Sequence, residues 1–89
     1  MTVHKPKVRV QHRFIHEIAA EVVADHKANG KEIYFGMVPY LAAMHSLGSV
    51  EESYYEDPAS EVLNYFLSNA SYWRGETARR IKAEIKEMI

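Results

Sequence analysis

Eighteen consecutive residues, Ile33–Val50, contain no Lys, Arg, Asp or Glu, in a chain of 89 residues that is 26% charged. The stretch holds Ile33, Tyr34, Phe35, Met37, Val38, Tyr40, Leu41, Met44, Leu47 and Val50. Something must remove such a run from water. About 20 apolar residues suffice to span a bilayer. Here Gly36, Pro39, His45, Gly48 and two serines dilute the run below a spanning segment. The expectation is a buried core segment with amphipathic helices packed around it, and no membrane partner.

Those helices can be read from periodicity. At 100° per residue, Gln11, Ile15, Ile18, Ala19, Val22 and His26 share one sector, and Arg13, Glu17, Glu21 and Asp25 fall opposite. This predicts a helix from about Gln11 to Ala28, stopped by Asn29-Gly30, which tolerate the left-handed conformation. Ala20, Ala24 and Ala28 recur on its polar side. They read either as good helix formers or as a close helix–helix contact. A second helix is expected from near Val38, with Pro39 in its first turn, to Leu47 before Gly48. Ser49-Val50-Glu51-Glu52 has the capping-box pattern, which predicts one or two helical turns through Tyr55. Asp57-Pro58 reads as an N-cap followed by proline at the first helical position. Ala59, Val62, Leu63, Phe66, Leu67, Ala70 and Trp73 then share one broad face, so the third helix is expected to reach Trp73 or Arg74 and to break at Gly75. A last helix, about Glu76–Met88, buries Ala78, Ile81, Ile85, Met88 and Ile89. Its flanks differ: Arg79, Lys82 and Lys86 line one, and Glu76, Arg80, Glu84 and Glu87 line the other.

The fold class expected is all-α, a small bundle of three to five helices in residues 11–89 with the second helix central. Residues 1–10 form a basic N-terminal arm. Val8 and Val10 flank Arg9 in alternation, which reads as a short strand or an extended tail. With 47% apolar residues the chain has a globular composition, and its core is modest. Dimerisation would add buried area. The absence of cysteine excludes a disulfide scaffold, a thiolate zinc site and a cysteine nucleophile, and it fits a cytoplasmic protein. No apolar run of a signal peptide follows Met1. Cysteine-free chains of this size are common among small bacterial and phage proteins.

The net charge of −1 hides an uneven layout. Residues 1–13 carry +4 (Lys5, Lys7, Arg9, Arg13), residues 51–61 carry −5 and residues 74–89 carry +2. Such blocks predict that the acidic segment meets a basic one, within the chain or across a dimer.

Three groups of residues are candidates for a site. Glu51, Glu52, Tyr54 and Tyr55, with Tyr72, form acidic-aromatic strings of the kind found at protein interfaces. Lys5, Lys7, Arg9 and Arg13 with Arg79, Lys82 and Lys86 present cations to phosphates, beside a Tyr72-Trp73-Arg74 string able to stack bases. A pI near 6.5 nevertheless departs from the basic balance usual in nucleic-acid binders. His12 and His16, at i and i+4 on a predicted helix, can clamp a metal if His45 or a partner's Glu17 completes the shell. The competing reading is two boundary residues. His26 and His45 are expected to be packed histidines. No phosphate loop or nucleophile motif is present, so no catalytic residue is assigned and no cofactor is expected. The leading functional expectation is a non-enzymatic interaction protein acting as a homodimer. A nucleic-acid-binding protein is the second, and a histidine-based metal protein the third.

Overall fold

The computed structural model describes residues 12–89. Their helices are α1 (Ile15–Ala28), α2 (Val38–Met44), α3 (Ala59–Ser68) and α4 (Glu76–Met88), with a two-strand hairpin, β1 (Ser53–Tyr54) and β2 (Asp57–Pro58), between α2 and α3. The domain is thus mainly helical, as its periodicities require. The hairpin departs from the all-α expectation. The N-terminal arm lies outside the described residues.

The helix α1 begins at Ile15, not near Gln11, because its first donors are claimed by distant backbone. The N–H groups of Ile15 and His16 donate to the carbonyls of Gly48 and Leu47 at 2.8 and 3.0 Å. Phe14 is the extended N-cap, and the Glu17 carboxylate accepts from its N–H at 3.1 Å. At the other end, Lys31 N–H donates to the His26 carbonyl and Gly30 N–H to that of Lys27, with Gly30 at φ 63°. This is a Schellman stop, which needs the left-handed residue that glycine supplies without strain.

The same contact shortens α2. Residues Ser46 and Leu47 close tight turns onto Ala43 and Met44, and the carbonyls beyond them turn toward α1. The uncharged stretch is therefore not wrapped on all sides. Met37, Leu41, Ala43, Met44 and Leu47 are buried, while Val38, Pro39 and Ala42 face solvent.

The predicted capping box at Ser49 does not start a helix. The Glu52 carboxylate reaches past Ser49 to accept the Gly48 N–H at 2.9 Å, and only a single turn closes, Glu52 N–H to Ser49 carbonyl. The chain then straightens into β1. Antiparallel pairing sets Ser53 opposite Pro58 and Tyr54 opposite Asp57, leaving Tyr55-Glu56 as the loop. Because Asp57 lies in β2 it cannot cap α3; Pro58 is the N-cap. The helix α3 ends at Ser68, where the Asn69 side-chain amide donates to the Tyr65 carbonyl at 2.9 Å. Trp73 thus belongs to a loop, yet it is buried on the side its periodicity indicated.

The four helices close a ring in which α1 touches α2 and α4, and α3 touches α2 and α4. Arg13 meets Glu84 at one end of α1, and Asp25 meets Trp73 at the other, so α1 and α4 run antiparallel. The core is formed by the predicted faces: Ile15, Ile18, Ala19, Val22 and His26 from α1, Ala59, Val62, Leu63 and Phe66 from α3, Ala78, Ile81 and Ile85 from α4. Of the residues expected to be buried at the end of α4, Met88 is only partly buried and Ile89 is exposed. Among the described residues, no helix is long and apolar enough to cross a membrane.

Candidate functional site

The two flanks of α4 have different fates. The flank bearing Arg80 and Glu84 turns toward α1, where its charges are neutralised. Arg13 makes a two-pronged contact with Glu84, through Nε at 3.0 Å and Nη2 at 2.7 Å, and an ion pair with Glu21 at 2.8 Å. Arg80 also pairs with Glu21. The hydrogen bond from Arg80, reinforced by Arg13, holds the Glu21 carboxyl below the usual carboxylate range. Arg13, predicted to face phosphates, is therefore committed to the fold.

The other flank carries Arg79, Lys82 and Lys86 along the side of α4 that borders the α3–α4 loop. No acid pairs with it among the described residues. Lys82 is half-buried. Its Nζ donates to the Trp73 carbonyl at 2.7 Å and lies 5.9 Å from the centre of the Trp73 ring. Burial, together with the nearby charges of Arg74 and Lys86, pushes the Lys82 pKa down. Arg74 was absent from the predicted cationic stripe because it precedes the helix and falls outside the i, i+3, i+7 spacing; the Tyr72-Trp73-Arg74 string was its signal in the sequence. A hollow of about 350 Å³ lies at this end of the flank, lined by Ser71, Trp73, Arg74, Ala78, Arg79 and Lys82.

A second hollow, about 440 Å³, separates the end of α1 from the start of α4. Its inner wall, Asp25, His26 and Trp73, is hydrogen-bonded within the fold. The Trp73 indole N–H donates to Asp25 Oδ2 at 2.9 Å. His26 is buried, stacks on Trp73 at 5.5 Å, and has both ring nitrogens engaged at 2.8 Å. Nδ1 faces the Val22 carbonyl, which can only accept, so Nδ1 carries the proton. In the neutral ring Nε2 accepts from the Tyr72 hydroxyl, whose oxygen accepts the Tyr34 N–H at 3.0 Å. This chain of bonds ties α1 to the segments before α2 and after α3. Tyr72 is accordingly a partly buried strut of the fold.

The remaining candidates are dispersed. His12 precedes α1, so His12 and His16 do not share a helical face; His16 is exposed and stacks on Phe14 at 5.3 Å. Among the described residues, no group of three or more His, Cys, Asp or Glu could hold a metal. His45 is exposed at the end of α2, not packed. Glu51 and Glu52 are exposed, and the Glu52 carboxyl is lowered by the backbone donors of Gly48 and Ser49. Tyr54 packs partly against the core, whereas Tyr55 is 86% exposed. No ion pair joins segment 51–61 to a base among the described residues. Lys5, Lys7 and Arg9 lie outside those residues.

No protein-family model matches this chain, and neither a curated protein nor a solved structure shows a match to it.

Proposed function

We propose that this chain is a non-enzymatic interaction protein that works as a homodimer through the outer face of α2 and the segment before it. One observation carries the reading. The solvent side of the Tyr34–Ala42 part of the uncharged stretch stays apolar: Phe35 is 79% exposed, Val38 48% and Tyr34 44%, with Pro39 and Ala42 exposed beside them. A surface without charge meets its own copy across a two-fold axis with no like charges opposed. Contiguous exposed apolar surface of this kind marks contact sites. The non-enzymatic reading is supported by His26, whose ring nitrogens both serve structural partners.

Sedimentation equilibrium tests the proposal. The expected result is a dimer, converted to monomer by Phe35→Glu with Val38→Glu, both at exposed positions, while the helical circular dichroism signal is unchanged. A monomer at high micromolar concentration, or a dimer indifferent to those two charges, refutes it.

The unpaired flank of α4 favours a second reading, a nucleic-acid-binding protein that uses Arg74, Arg79, Lys82 and Lys86. Binding would then weaken steeply with salt. Binding of an oligonucleotide that ignores salt, or survives Lys82→Glu with Lys86→Glu, removes this reading.

A further inference from the structure

We infer that the hollow at the Arg74 end of the basic flank is a binding pocket for a single phosphate group. The inference deepens the nucleic-acid reading and is independent of the dimer face. Three features converge on it.

First, the cations are concentrated there without a counter-ion. Arg74 comes from the loop, while Arg79 and Lys82 come from successive turns of α4. All three line one hollow of about 350 Å³. Of the acids of α4, Glu76 lines the neighbouring hollow beside Arg74 without an ion pair to it. Glu84 is held by Arg13 on the α1 side, and the flank has no ion pair among the described residues.

Second, the pocket has an apolar floor and a neutral donor. Trp73 and Ala78 are buried beneath it, and Ser71 contributes a hydroxyl to its wall. Low-dielectric walls strengthen the attraction of an anion to cations above them. Two guanidinium forks offer paired donors that match phosphate oxygens.

Third, Lys82 is already positioned. Its hydrogen bond to the Trp73 carbonyl fixes the ammonium at the pocket wall and leaves two of its three N–H donors for a ligand. Its partial burial beside Arg74 and Lys86 disfavours its charge. A dianion would relieve that repulsion. A carboxylate offers one charge and two oxygens to three cations; a phosphate offers more of both.

Phosphate can arrive free or as part of a nucleic acid, and one experiment separates the two. Inorganic phosphate is titrated into the full chain at constant ionic strength and followed by heteronuclear NMR. A parallel titration with chloride serves as the blank. Saturable shifts at Ser71, Arg74, Arg79 and Lys82 are expected. Arg79→Ala should weaken them about tenfold, in line with the loss of a charge-assisted hydrogen bond. Lys27→Ala, an exposed lysine on α1, should change nothing. A single-stranded oligonucleotide is then added with and without competing phosphate. Binding that phosphate displaces assigns the pocket to a nucleic-acid phosphate. Phosphate binding without oligonucleotide binding assigns it to a free phosphate and removes the nucleic-acid reading. The pocket itself is overturned if the shifts are non-saturating, match the chloride blank, or survive Arg79→Ala. It is equally overturned if an oligonucleotide binds and phosphate does not compete; the flank would then act only as a diffuse cationic surface.

Discussion

At the residue scale, the buried polar groups are paired, and each pairing makes a prediction. Trp73 is buried with its indole N–H on Asp25. Asp25→Ala leaves that donor without a partner and should cost about 1–3 kcal/mol in urea denaturation. Asp25→Asn keeps an acceptor oxygen and should cost less. If both variants unfold at the same urea concentration, the indole bond contributes nothing specific. Glu21 sets a pH dependence. Its carboxyl is lowered in the folded chain, first by the hydrogen bond from Arg80 and also by Arg13. Its contribution is therefore complete above the unfolded glutamate pKa of about 4.3 and is lost as pH falls through the lower folded value. Stability should fall as pH drops below about 5, and Glu21→Gln should flatten that fall. Unfolding midpoints measured across this range decide it; an unchanged slope in the variant means the pair is too solvated to matter.

At the scale of elements, three unusual backbone conformations locate the joints. Gly75 caps α4 at φ 114° with open space where a side chain would go, so the requirement is conformational and not steric. Gly75→Ala should cost about 1–3 kcal/mol, since that region is open almost only to glycine. Gly30→Ala at φ 63° should cost about 1–2 kcal/mol. Comparing the two by thermal unfolding checks the order. Tyr55 presents the opposite case. It is a non-glycine residue at φ 58°, at the tip of the hairpin, 86% exposed and edge-on to Tyr54 at 4.7 Å. Tyr55→Gly should stabilise the protein by about 1 kcal/mol through relief of that strain. A destabilised variant would mean that the contact with Tyr54 outweighs the backbone cost.

At the scale of the molecule, the ring of helices sorts the charged residues. Bases that face α1 become ion pairs and those that face the α3–α4 loop remain available. That is why Arg13 and Lys82, indistinguishable as cations in sequence, have different roles. The apolar stretch is sorted in the same way, with one side against α1 and α3 and the other side left in solvent. If the outer side closes a dimer, chain association and folding are linked, and the melting temperature should rise with protein concentration. A melting temperature that does not move across a hundredfold dilution would show the monomer to be the stable unit.

Much of the core was legible because burial along a helix follows from local periodicity. Ile15, Ile18, Ala19, Val22 and His26 needed only their mutual spacing, and so did the face from Ala59 to Trp73. The start of α4 after Gly75 was legible, but the end of α3 at Ser68, short of the expected Trp73 or Arg74, was not. Other features depended on partners far away in the chain. The start of α1 is set by carbonyls of Leu47 and Gly48, the hairpin by a Glu52 side chain that reaches Gly48, and the clustering of Arg74 with Lys82 by the path of the loop. The sequence alone therefore determined which faces turn inward, because side chains three and four residues apart share a helical face whatever surrounds them. Only the tertiary structure decided where helices stop and which charges stay unpaired, because hydrogen bonds and ion pairs such as Arg13–Glu84 join residues 71 positions apart.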